Sequence, residues 1–105
     1  MKENRSYISA QIQRTLNIIK VMAGKEVEGI SPSEITLYTN ISASNVTRTL
    51  ANLAEQKFVE RLPSNEKRWR LSAGLVQISN TVALNLNKAQ QQLQQDQHNY
   101  SRLSV

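Results

Sequence analysis

Apolar residues recur along the first part of the chain at helical spacing. In "SAQIQRTLNIIKVMAG", residues 9–24, Ile12, Leu16, Ile19 and Ala23 follow one another at steps of four, three and four, and Ile8 and Met22 extend the stripe. That pattern predicts one helix with a buried face along those positions, Ser9 capping its start and Gly24 ending it. "KEVEG" reads as a polar loop. In Ser31-Pro32-Ser33-Glu34, Ser31 is placed as N-cap and Pro32 as first helical residue, where its missing N–H costs nothing. Glu34 closes a capping box, with Ile30 and Ile35 at the positions of a hydrophobic staple. The predicted helix is short: Ile35 and Tyr38 face inward, and Asn40 tolerates the left-handed conformation that stops a helix. Ile41 anchors the turn and Ser42 starts the next helix, in which Val46, Leu50 and Leu53 form the buried stripe.

The opposite face of that helix carries Ser44, Asn45, Arg48 and Asn52, with Thr47 and Ala51 beside them. Two short helices around a tight turn, the second presenting small polar residues and an arginine, predict a helix-turn-helix. Phe58 to Leu62 and Arg68 to Leu71 are strand candidates around the turn cluster "PSNEK". Trp69 and Leu71 alternate with Arg68 and Arg70, which predicts a two-stranded wing with one apolar and one cationic face. From Ala73 the pattern is helical again. Leu75, Val82, Leu86, Ala89, Leu93, Tyr100 and Leu103 keep a three/four spacing, with Ser79 and Asp96 as its polar members. Such a seam predicts a dimerising helix, ending in a glutamine-rich stretch that reads equally as a frayed end. The expected fold is mainly α with a small β-hairpin: a winged helix-turn-helix over residues 1–72 and a long C-terminal helix over 73–105.

Charge sharpens this picture. The chain of 105 residues has a net charge of +5. Residues 1–72 hold eleven Lys/Arg against seven Asp/Glu, and 73–105 two against one, so the positive excess sits mostly in the first two-thirds. That suits a polyanionic partner. With no cysteine there are no disulfides, thiolates or cysteine metal sites, and His98 has no second histidine to pair with. Glu26 and Glu28 form the one carboxylate pair worth weighing for catalysis, and neither has a histidine, nucleophile or pocket glycine near it. No phosphate loop or metal-ligand spacing occurs. The expectation is a non-enzyme without cofactor. The first ten residues lack a signal-peptide run, and no stretch approaches a membrane span, so a cytoplasmic protein is expected.

The order of elements, with the stretches "QIQRTLNIIKVM", "ISPSEITLYTNISASNVTRTLANLAEQKFVER" and "RWRLSAGLVQI", resembles the N-terminal winged helix-turn-helix of IclR-type bacterial transcriptional regulators over residues 9–78. Arg14 and Leu16, then Ser44-Asn45-Val46 with Arg48 and Leu50, then Trp69-Arg70-Leu71 match that family's habits. Lys57 and Asn40 depart from them, standing where glycine is common. The family's large effector-binding domain has no counterpart, so small-molecule sensing is not carried over.

The outward helix face, the basic wing and the resemblance make double-stranded DNA the expected partner, and the seam makes the expected reader a homodimer joined through residues 75–103. A major groove admits one helix, whose first residues reach base edges. Asn45 suits adenine and Arg48 guanine or a phosphate, Ser42 and Ser44 suit phosphates near the helix N-terminus, and Thr47 and Asn52 share the face. Arg61, Lys67, Arg68 and Arg70 are the backbone or minor-groove candidates of the wing, Arg68 and Arg70 foremost. Trp69 is read as core rather than a stacking platform, and Tyr38 as phosphate contact or half-buried packing in equal measure. Two rival functions remain: an architectural, replication or partition DNA binder, and an adaptor whose winged helix touches protein.

Overall fold

A computed structural model describes residues 6–103. The elements run α1 (Ala10–Met22), α2 (Pro32–Thr39), α3 (Ala43–Glu55), β1 (Val59–Leu62), β2 (Asn65–Leu71) and α4 (Ala73–Leu103). Three helices and an antiparallel hairpin followed by a long helix make a winged helix-turn-helix, as the pattern predicts. The chain forms two compact units, Met1–Leu75 and Val76–Val105.

Local chemistry sets the helix ends. Ser9 accepts the Ile12 amide proton at 3.3 Å, and Ser42 accepts that of Asn45 at 3.3 Å. At α2 the Glu34 N–H donates to Ser31 Oγ at 3.2 Å while the Ser31 N–H donates to Glu34 Oε1 at 2.9 Å. This closes the capping box, with both staple residues, Ile30 and Ile35, buried beneath it. Asn40 ends α2 at φ 62°.

Lys57 also adopts φ 62°. Its N–H donates to the Ala54 carbonyl at 2.9 Å, and the Phe58 N–H to the Leu53 carbonyl at 2.9 Å. These two bonds make a Schellman cap, a turn that glycine usually supplies. The glycine-like turn is thus kept by a lysine. The Lys57 carbonyl in turn accepts the Ser72 hydroxyl and, at 3.0 Å, the Gly74 N–H. A Cβ on Gly74 would stand 2.4 Å from that oxygen, so only glycine permits the approach.

The core gathers Ile18 and Met22 of α1, Ile30, Ile35, Ile41, Val46, Leu50 and Leu53 around the helix-turn-helix, and Val59 of the hairpin. Each such side chain contributes roughly 1.5–3 kcal/mol on burial. Here the expected face of α1 is corrected. The helix buries Ile18 and Met22, whereas Ile12 is 58% and Leu16 45% exposed and Ile19 only half-buried. α1 carries two apolar stripes, and three/four spacing alone does not say which one the core takes. Tyr38 is corrected likewise: it lies 63% exposed, its ring 6.0 Å from Lys25 Nζ.

The wing begins earlier than its alternation suggests. β2 starts at Asn65, and only Pro63 and Ser64 turn the chain. Val59 pairs with Leu71, Glu60 with Arg70 and Arg61 with Trp69. The register then shifts, so that Leu62 meets Asn65. Ile30 adds a third short edge through reciprocal bonds with Trp69, 2.9 and 2.8 Å, which tie the hairpin to the segment entering α2.

The unit Val76–Val105 is helix throughout its described residues, and every side chain described in it is exposed. α4 has 31 residues, roughly 46 Å at 1.5 Å per residue. Val82, Leu86, Leu93 and Tyr100 of the expected seam lie uncovered in the single chain. The side chain of Leu103 falls outside the described residues.

Candidate nucleic-acid interface

α3 has the strongest amphipathic division in the chain. It buries Val46, Thr49, Leu50 and Leu53, and turns Ser44, Thr47, Arg48, Ala51 and Asn52 to the surface with Asn45 half-buried. Two of the outward groups are partly occupied by their own helix. The Asn52 side-chain amide donates to the Arg48 carbonyl at 2.8 Å. Ser42 holds the N-cap and lies 3.4 Å from the Ser44 hydroxyl. The Arg48 guanidinium has no ion pair among the described residues.

Between this face and the wing runs a cleft of about 440 Å³, lined by Pro32, Thr47, Leu50, Ala51, Arg61, Lys67 and Trp69. Its floor is apolar and two cations stand on its wing side. Trp69 packs one face on the core and carries the Arg61 guanidinium 4.5 Å from its ring centroid. The reading of Trp69 as core is therefore met, and its outward face is covered by a cation.

The four wing cations do not behave alike. Arg68 donates to the carbonyls of Glu28 and Gly29 at 2.8 and 3.0 Å and pairs with Glu34 at 2.8 Å. Arg70 pairs with its cross-strand neighbour Glu60 at 2.6 Å. Arg61 donates to the Glu66 carbonyl at 2.6 Å. Lys67 is exposed and, alone among the four, has no side-chain ion pair or hydrogen bond among the described residues. Arg68 and Arg70, placed foremost among the expected wing contacts, are each ion-paired within the chain, with Glu34 and Glu60. Glu60 and Glu34, the partners responsible, were missed. Glu60 was findable from the hairpin pairing; Glu34 lies too far along the chain to be read.

Among the described residues no cluster of His, Cys, Asp or Glu is arranged to hold a metal ion, and no helix is long and apolar enough to cross a membrane.

Comparison with known proteins adds the lineage. Residues 13–68, just over half the chain, match the model of the MarR family. An IclR family transcriptional regulator from Brucella abortus superposes with a TM-score of 0.63 at 15% identity, over 77% of this chain and 30% of that one. A mutant of MepR from S. aureus superposes with a TM-score of 0.50 at 12% identity, over 88% of this chain and 69% of that one. At such identities these two neighbours establish the fold. The chain spans less than a third of the Brucella regulator's length. No curated protein matches the sequence significantly.

Proposed function

This chain belongs to the MarR family, and from that premise we propose that it is a DNA-binding transcriptional regulator which lays α3 in the major groove of a duplex. The observation that carries the reading is the outward face of α3: Ser44, Thr47, Arg48, Ala51 and Asn52 project from a helix fixed by the core behind it. A groove admits such a helix, and its first turns meet base edges. Arg48 and Asn45 are assigned to bases, Ser42 and Ser44 to phosphates, with Thr47 and Asn52 completing the face.

On the wing, Lys67 takes the leading backbone contact because its charge is uncommitted. Arg61 follows at the edge of the cleft, while Arg68 and Arg70 serve first to hold the wing. The likeness to IclR-type regulators rests on the Val46-x-Arg48-x-Leu50 and Trp69-Arg70-Leu71 motifs. Residues 1–72 form the reading head. Residues 73–105 join two copies through the seam of α4, so that a dimer reads two half-sites about one helical turn or more apart. The protein works in the cytoplasm without a cofactor and catalyses no reaction.

Gel-shift titration on promoter and random duplexes at two salt concentrations tests this reading. Salt-sensitive binding that favours particular promoters is expected. Equal binding to all duplexes would make the protein architectural, and no binding at either salt would make the fold an adaptor for protein.

A further inference from the structure

The reading of α4 as the dimerising segment leaves the direction of the two helices open, and the inference drawn here rests on that reading. The seam positions are Leu75, Ser79, Val82, Leu86, Ala89, Leu93, Asp96 and Tyr100, alternating by four and three. Two of them are polar. The positions that flank the seam are Val76, Ala83, Gln90 and Gln97 on one side and Ile78, Asn85, Gln92 and Asn99 on the other. None is charged, so the flanking ion pairs that ordinarily choose partner orientation do not operate here. The choice falls to the seam itself.

In a parallel, in-register pair each residue meets its own copy. Asp96 then faces Asp96 across an apolar seam, two like charges with no cation beside them on flanking positions. In an antiparallel pair centred between Asn87 and Lys88, each residue meets another. Leu86 faces Ala89, Val82 faces Leu93, Leu75 faces Tyr100, and Ser79 faces Asp96. Between Leu75 and Tyr100 apolar residues meet only apolar ones or tyrosine, and the two polar residues meet each other; Leu103 lies beyond the paired stretch, because α4 begins at Ala73. Moving the register one heptad either way breaks this match. In one direction Asp96 comes opposite Leu86; in the other Ser79 comes opposite Ala89 and Asp96 runs past the seam.

We infer that α4 pairs with α4 of a second copy in an antiparallel coiled coil, in the register that sets Ser79 of each chain against Asp96 of the other. The Ser79 hydroxyl donates to the Asp96 carboxylate, a charge-assisted bond that an apolar surround strengthens. Asp96 already accepts one hydrogen bond within its own helix, from Gln92 at 3.0 Å, and a carboxylate has room for more. Val82, 55% exposed, and Leu93, 59% exposed, become the apolar layers on either side of the centre.

The absence of cysteine from the sequence makes the test clean. Two differently tagged full-length chains, one Val82→Cys and one Leu93→Cys, are mixed and treated with a short thiol-bridging reagent. Sedimentation equilibrium of the unaltered chain runs alongside. In the inferred register the two sulfurs share a layer, whereas two copies of the Val82→Cys chain hold theirs 11 residues apart, roughly 16 Å along the axis. A dimer in which the mixed product dominates several-fold over either homo-product is expected.

A dimer with homo-products dominant overturns the antiparallel register and leaves the dimer standing. A dimer with no crosslink of any kind overturns α4 as its seat. A monomer at all concentrations overturns the dimer reading itself. Should either seam variant fail to dimerise, Ala83→Cys with Gln90→Cys repeats the experiment beside the seam, with the same mixed product expected.

Discussion

The Arg68 guanidinium lies 2.8 Å from the Glu34 carboxylate, and the same carboxylate holds the amide that starts α2. One side chain of the wing therefore grips the first turn of the helix-turn-helix. Its other donors take the carbonyls of Glu28 and Gly29, just before the Ile30–Trp69 bridge. Arg68 thus fixes the wing against α2 by three acceptors at once. Arg68→Ala is expected to lower stability by about 1 kcal/mol through the two carbonyl bonds, or roughly 4–8 °C in Tm. It should also speed hydrogen exchange at the Ile30 and Trp69 amides. Lysine in its place offers no planar fork and is expected to rescue little. An unchanged melting curve together with unchanged exchange would refute the latch.

Glu34 makes that latch sensitive to acid. Its pKa is lowered first by the Ser31 amide hydrogen bond. Loss of surrounding water works against this, and the Arg68 charge and the Ser31 and Arg68 side chains add to the lowering. A carboxylate whose folded pKa lies below its unfolded value contributes stability above the unfolded value, about 4.3 for glutamate. That contribution disappears as pH falls through the folded value. Thermal melts from pH 7 to pH 3 should show the Glu34→Gln variant less stable at neutral pH and the two proteins converging in acid. Parallel curves across the whole range contradict the assignment.

What the sequence reveals and conceals follows from distance along the chain. The capping box at Ser31 and Glu34, the Asn40 stop and the Ser42 start each depend on residues three or four apart, and all are found where the pattern places them. The buried face of α1 does not, because Ile12–Leu16 and Ile18–Met22 satisfy one periodicity equally and the rest of the fold chooses between them. The outward face of α3 is legible as a surface, because Val46, Leu50 and Leu53 fix the opposite side in the core. The neutralisation of Arg68 was hidden, since Glu34 sits on another element. Alternation assigns a residue to one side of a strand and says nothing of what waits there.

Lys57 holds a left-handed conformation that costs a residue with a Cβ roughly 1–2 kcal/mol, in part offset by the greater freedom glycine has when unfolded. Lys57→Gly is expected to stabilise the fold by about 0.5–1 kcal/mol, read by urea titration. Gly74→Ala should do the reverse, because its Cβ would meet the Lys57 carbonyl oxygen at 2.4 Å. Opposite signs at these two positions test the geometry; a loss of stability in Lys57→Gly would exclude it.

Thr49 is 2% exposed, on the inner side of α3, and its hydroxyl has no hydrogen-bond partner among the described residues. A buried, unsatisfied hydroxyl costs about 1–3 kcal/mol. Thr49→Val keeps the branched shape and removes the polar atom, so the variant should be more stable by about 1 kcal/mol, with DNA affinity unchanged because the site faces away from the groove. A drop in Tm would mean that the hydroxyl is satisfied in solution.

Arg48 and Lys67 separate reading from gripping. Both are exposed and neither has an ion pair among the described residues, but one stands on α3 and the other near the tip of the wing. A base contact from Arg48 makes Arg48→Ala cost about 1–3 kcal/mol on the preferred duplex and much less on random DNA. A phosphate contact from Lys67 makes Lys67→Ala weaken every duplex alike and reduces the slope of log affinity against log salt by about 0.9. Because Arg68 is already paired, Arg68→Ala should leave that slope nearly unchanged while lowering Tm. Measured together by fluorescence anisotropy at several salt concentrations, the three variants distinguish a cation that meets the duplex from one that holds the wing. A salt slope flattened as much by Arg68→Ala as by Lys67→Ala would mean that the Glu34 pair opens on DNA and that the wing grips with both.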